Sequence, residues 1–137
     1  MLIDYLDVKN GVAAALRDYN NQQFKMECGR DRLTELDRRI MPLNRHVGDN
    51  SGQFASVIDK RDAALHGYQQ AKDYFAEIIP ALDRLTEGGR FMLTVRYIDW
   101  DEGGGIEKIM DALHVGRTEA YRRSEMALAR LAKLLLW

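Results

Sequence analysis

The sequence predicts an all-α protein: a long antiparallel helical hairpin of coiled-coil character, followed by a compact helix-turn-helix module. Three observations predict it. Apolar residues recur at alternating spacings of four and three over residues 8–43, and again over residues 54–85. A polar, glycine-containing stretch separates the two stripes. Near the C-terminal end, two short amphipathic segments are joined by only four residues. The expected division is 1–79 for the stalk and 80–137 for the module.

The first stripe runs Val8, Val12, Ala15, Tyr19, Gln22, Met26, Gly29, Leu33, Leu36, Ile40, Leu43. A heptad seam sustained this long marks a helix that packs along another helix. Gln22 and Gly29 interrupt its apolar character. Pro42 opposes continuation, and Asn44 to Gly52, with Gly48, Asp49 and Asn50, supplies turn residues. The second stripe is Phe54, Val57, Arg61, Ala64, Tyr68, Ala71, Phe75, Ile78, Leu82, Leu85. Two heptad helices around one polar loop fold back most simply as an antiparallel pair, each covering the apolar face of the other. Pro80 lacks an amide donor and clashes with the carbonyl four residues earlier, so a kink or restart is expected near Ile79. Tyr68, Tyr74 and Phe75 read as core.

Thr86-Glu87-Gly88-Gly89 reads as a break and Arg90 to Ile98 as the next helix, with Phe91, Leu93, Val95 and Ile98 on its apolar faces. An acidic, glycine-rich loop follows from Asp99 to Gly105. Trp100 beside it is expected to lid the small core, and the tri-glycine is a hinge, since no Lys-Ser/Thr follows as a phosphate loop requires. Ile106, Ile109, Met110 and Leu113 form one short amphipathic helix; Ala120, Ala127, Leu128 and Leu131 form a second. His114-Val115-Gly116-Arg117 lies between them. So tight a turn forces a steep crossing, with Val115 plugging the angle, His114 structural, and the second helix offered outward, as in proteins that insert a helix into the DNA major groove. Its first turns carry Arg117, Thr118, Glu119, Tyr121, Arg122 and Arg123, side chains able to meet phosphates and base edges.

Leu113 to Thr118, Tyr121-Arg122, Ala127-Leu128 and Leu131, together with Gly89 to Ile98 upstream, resemble the C-terminal, promoter −35-reading domain of bacterial sigma factors. The small sigma-like phage transcriptional regulators of the RinA and ArpU type are the nearer variant. The resemblance covers roughly residues 80–135. Gly116 stands where that family usually has a capping Ser, and Arg123 where an apolar residue is common. The resemblance implies a sequence-specific DNA-binding transcriptional regulator that reads double-stranded DNA through a recognition helix at about 117–131. DNA contacts are expected from Arg117, Thr118, Glu119, Tyr121, Arg122 and Arg123, with Arg90 and Arg96 as further phosphate contacts. The stalk is left for self-association or for RNA polymerase.

Composition narrows the alternatives. Hydrophobic residues make up 46% and charged residues 30% of the chain, with two prolines, which suits a helical protein. No apolar run spans a bilayer and no secretory leader is visible, so a cytoplasmic location without membrane insertion is expected. Cys28 is single and His46, His66 and His114 are scattered, so neither a disulfide nor a metal site is expected. No nucleophile with a base or paired carboxylates stands out, so no enzyme and no cofactor are expected. The net charge of −1 argues against a histone-like, purely electrostatic binder; positive charge gathers instead at residues 114–137, with five basic and two acidic side chains. The apolar end, Leu134-Leu135-Leu136-Trp137, extends a stripe beyond what three helices can cover; the chain's own stalk folding back or a homodimer with two reading helices on one duplex would cover it, and the imperfect seam at Gln22 and Gly29 favours the dimer. The competing reading is a phage assembly protein, such as a small terminase subunit, or a coiled-coil adaptor, and in either of these Arg122 and Arg123 are ordinary solvated charges.

Overall fold

A computed structural model describes residues 2–44 and 51–135 of the chain. Among the described residues every regular element is helical and there is no strand. In chain order the elements are α1 (Leu2–Arg17), α2 (Tyr19–Asn44), α3 (Ser51–Asp83), α4 (Glu87–Leu93), a π-helical segment (Thr94–Ile98), a 3-10 turn (Trp100–Glu102), α5 (Gly105–Leu113) and α6 (Arg117–Leu135). They form two compact units: Asn21–Phe75, and a second made of Met1–Asn20 with Ala76–Trp137.

In the Asn21–Phe75 unit, every expected stripe position with a described side chain is buried or half-buried, and most neighbours are exposed. Leu36 and Ala71 are its sealed apolar positions. Gly29, an apparent defect in the seam, is explained by its partner: a Cβ there would stand 3.3 Å from the Tyr68 Cβ. A glycine on α2 makes room for an aromatic ring on α3. Arg61 occupies its stripe position by ion-pairing with Asp37 at 2.7 Å. The two contacts join 29 to 68 and 37 to 61, so α2 and α3 run in opposite directions here. The turn expected around Gly48, Asp49 and Asn50 lies outside the described residues, and α2 continues past Pro42 to Asn44.

Two expectations for the stalk are corrected. The first stripe is two helices, interrupted at Asp18, and residues 1–20 belong with the C-terminal module, so the 1–79 division does not hold. The reason is the width of the apolar face. Val12, Ala13 and Leu16 are all buried, a broader stripe than a coiled-coil seam, and such a face suits a globular core. The junction is tied down locally: Asn20 donates its side-chain amide to the Ile98 carbonyl at 3.1 Å, and the Trp100 indole donates to the Arg17 carbonyl at 3.2 Å. Trp100 is thus no core lid; it is 53% exposed and caps the end of α1. Pro80 likewise causes no restart, because α3 runs on to Asp83 and ends in the turn made by Arg84 and Leu85.

The Thr86–Gly89 stretch is not a break but a helix start. The Thr86 hydroxyl accepts from the Gly89 amide at 3.1 Å, a side-chain N-cap, and α4 begins at Glu87. α4 then widens into the π segment, whose Asp99 amide reaches back to the Thr94 carbonyl at 2.8 Å. That wider turn leaves Leu93, Tyr97 and Ile98 buried together and Phe91 exposed. α5 and α6 close the core. Ile106, Ile109 and Ala120 form its centre, with Val95, Met110, Leu113 and Val115 packed against it. His114 takes the left-handed conformation at the end of α5 and bonds back to the Met110 carbonyl.

α6 packs against α1, α4 and α5. Ala120, Ser124, Ala127, Leu128, Leu131 and Ala132 are its sealed face. With α1 packed on α6 beside α4 and α5, Leu128 and Leu131 are buried within their own chain. Leu134 and Leu135 are half-buried, while Leu136 and Trp137 lie outside the described residues.

Gly105 is the tightest approach in this unit. A Cβ there would lie 2.3 Å from the Val95 carbonyl oxygen, so the third glycine of the run is a packing requirement rather than a hinge residue. Gly105→Ala is expected to destabilise the fold by about 1–3 kcal/mol or more, because backbone cannot yield as a flexible side chain does. Gly11→Ala, where the added methyl meets open space, is expected to be neutral or stabilising. Thermal melts of the two variants check this; equal melting temperatures would contradict it.

Candidate nucleic-acid interface

The outward side of α6 follows from its inward side. With Ala120, Ser124, Ala127 and Leu131 sealed, helical geometry turns Thr118, Tyr121, Arg122 and Met126 toward solvent. Arg117, Thr118, Tyr121, Arg122 and Arg123 are all exposed. These five therefore share one accessible stretch of the first turns, as the sequence suggested.

Their charges are partly satisfied inside the chain. Arg117 pairs with Glu107 of α5 at 2.9 Å, which holds the Glu107 carboxyl below its usual range. Glu119 is clasped by both neighbours: Arg122 bonds to its two carboxylate oxygens and Arg123 to Oε1 at 2.9 Å. Hydrogen bonds from Arg122 and then Arg123 pull the Glu119 carboxyl down to about 2. Glu119, expected as a DNA contact, is thus an acidic brace that positions two arginines and lowers their combined charge. Arg90, on α4, pairs loosely with Asp83 at 3.6 Å and remains accessible.

Arg96 departs from expectation. It is turned inward, with its guanidinium centred 4.9 Å from the Tyr97 ring and 5.0 Å from the Tyr121 ring. It donates to the Ser124 hydroxyl at 2.7 Å and pairs with Glu125 at 2.9 Å. Only 20% of its side chain is exposed, so its guanidinium is directed into the chain rather than outward with Arg122 and Arg123. Read from the sequence as a candidate phosphate contact, Arg96 is held inward by the sealed Ser124 and by Glu125.

Glu125 completes the joint. It also accepts from the Tyr97 hydroxyl at 3.3 Å and ion-pairs with Lys9 of α1. Burial pushes the Glu125 carboxyl up, but the Lys9 hydrogen bond and the charges of Arg96 and Lys9 outweigh it and leave it below the usual range. Burial, with Glu125 adding to it, pushes the Tyr97 phenol up to about 12, so it stays protonated as a donor.

Among the described residues no cluster of His, Cys, Asp or Glu fits a metal ion, and no helix is long and apolar enough to cross a membrane. The chain matches no protein-family model, no curated protein and no solved structure.

Two outcomes follow from the joint. Arg96→Ala is expected to cost roughly 2–4 kcal/mol of stability, since it removes two cation–π contacts, the hydrogen bond to Ser124 and one of the two ion pairs of Glu125, and Arg96→Lys should restore little because the flat guanidinium is lost. Chemical denaturation reads this, and a stability within about 0.5 kcal/mol of the parent would contradict it. Because Glu125 has a lowered folded-state pKa, its contribution is present above the unfolded value near 4.3 and disappears as pH falls through the folded value. The melting-temperature gap between the parent and Glu125→Gln should therefore be open at neutral pH and close on acidification; a gap independent of pH would contradict the assignment.

Proposed function

We propose that this protein is a sequence-specific, DNA-binding transcriptional regulator of phage or prophage type that reads duplex DNA through α6. In this reading α5, the tight turn at His114–Gly116 and α6 act as a helix-turn-helix of the sigma-like kind. The antiparallel α2/α3 pair is a stalk for self-association or polymerase contact. The observation that carries the proposal is the two-sidedness of α6: one face sealed into the core, the other presenting Arg117, Thr118, Tyr121, Arg122 and Arg123 within two turns after a short connection. Such a helix is held rigidly from behind, as major-groove reading requires.

Role assignments follow from position. Arg117 at the helix start serves phosphate, Arg122 at the centre of the exposed face serves a base edge, and Arg123 and Arg90 flank them as backbone contacts. Glu119 keeps Arg122 and Arg123 extended and limits indiscriminate attraction to phosphate. The dimer belongs to the same proposal, its apolar contact resting on Leu134, Leu135 and the residues beyond them.

Selection from a random duplex pool by the full chain should yield a defined motif, and light scattering should give a dimer rather than a many-membered ring. A large ring with no selected motif favours the assembly-protein reading. Glu119→Gln should strengthen binding to random duplex by roughly three- to tenfold at low salt and reduce discrimination, since a repelling carboxylate is gone. The Arg122→Ala/Arg123→Ala double variant should cost ~1–3 kcal/mol on the selected site and flatten the salt dependence by about one contact. Unchanged affinity in the double variant would overturn the assignment.

A further inference from the structure

A groove of about 380 Å³ opens beside α6, within the unit that holds α4 and the end of α3. Its rim carries Arg84, Arg122, Arg123 and Arg130, and no acidic side chain lines it. Its apolar lining includes the buried Leu85, the half-buried Met92 and the exposed Met126. Glu119 reaches two of the four guanidinium groups from outside the lining, whereas among the described residues Arg84 and Arg130 form no ion pair.

Like charges gathered around one cavity repel each other, and nothing in the core packing requires it, since Arg84 and Arg130 are exposed and reach the rim from different elements. The volume fits a small molecule, within the usual span for such sites, and is too small for a folded partner. A bare anion would use the arginines and leave the apolar lining idle. A ligand with a flat apolar part and several negative charges would use both: guanidinium groups hold phosphate oxygens two at a time, while methionine sulfur and leucine pack well against an aromatic ring.

We infer that this groove is a binding site for a nucleoside triphosphate, with the phosphates held by Arg84, Arg130, Arg122 and Arg123 and the base laid on Leu85, Met92 and Met126. The groove shares Arg122 and Arg123 with the proposed DNA contacts but adds Arg84 and Arg130, which that proposal does not use, so its occupancy does not require the DNA-reading proposal to hold.

Calorimetry on the full chain tests it, with adenosine triphosphate, inorganic pyrophosphate and adenosine as separate probes. Adenosine triphosphate should bind with one-to-one stoichiometry, pyrophosphate roughly tenfold more weakly, and adenosine more weakly still. Arg84→Ala and Arg130→Ala should each weaken the triphosphate about tenfold or more, with melting temperature unchanged, while Arg32→Ala on α2 should have no effect. Both truncated groups are exposed, so folding is not at risk. Equal affinity for pyrophosphate and the triphosphate would reduce the site to a general anion patch and overturn the inference. So would indifference to both Arg84 and Arg130, or binding of a short single-stranded oligonucleotide through the same residues far more tightly than the free nucleotide.

Discussion

The Glu125 carboxylate holds together three parts of the chain that the sequence places far apart. From its place on α6 it takes Lys9 of α1 and both Arg96 and Tyr97 of the π segment. Arg96 in turn lies between two tyrosine rings and donates to the sealed Ser124. Partly buried charges of this kind contribute little net energy against an apolar substitute, because desolvation offsets attraction, but they tolerate only one alignment. The apolar contacts of Leu16, Leu93, Ile109 and Leu131 hold the helices together. The polar joint fixes the rotation of α6 among them, and that rotation decides which residues face solvent.

That division of labour explains the electrostatics of the exposed face. A chain with net charge −1 cannot rely on bulk attraction to a polyanion. On α6, Arg117, Arg122 and Arg123 are tempered by Glu107 and Glu119, so these three guanidinium groups are held in place by carboxylates of the chain itself. In the proposed reading this favours contacts that discriminate over contacts that merely attract, since replacing an internal carboxylate by a phosphate gains little unless the geometry is right.

Much of the architecture was legible, and the failures have physical causes. The seam from Gln22 to Ile40 and from Phe54 to Phe75 matches the burial pattern position by position, because a strict heptad repeat has few other uses. The same three-four spacing misassigned α1, whose extra sealed residues Ala13 and Leu16 showed a wider face than a seam needs. Thr86 was read as part of a break since two glycines follow it, although a threonine three residues before an amide is itself a capping signal. Pro80 lost to tertiary packing, with Ile78, Ala81 and Leu82 buried on both sides of it. For the candidate site, the exposed run of α6 was readable from helical geometry once its apolar face was known. The inward turn of Arg96 was not, because it depends on Ser124 and Glu125, twenty-eight residues or more away in sequence. Nor were the groove arginines Arg84 and Arg130, which meet only after folding.

Hydrogen exchange of the full chain, with and without a duplex selected by it, tests the central claim most directly. The account predicts that duplex slows exchange, or shields side chains from labelling, over Arg117 to Met126, with the Asn21–Phe75 unit unaffected apart from any contact between subunits. Protection confined to Asn21–Phe75, or a bound duplex that leaves Arg117 to Met126 unchanged, would contradict it.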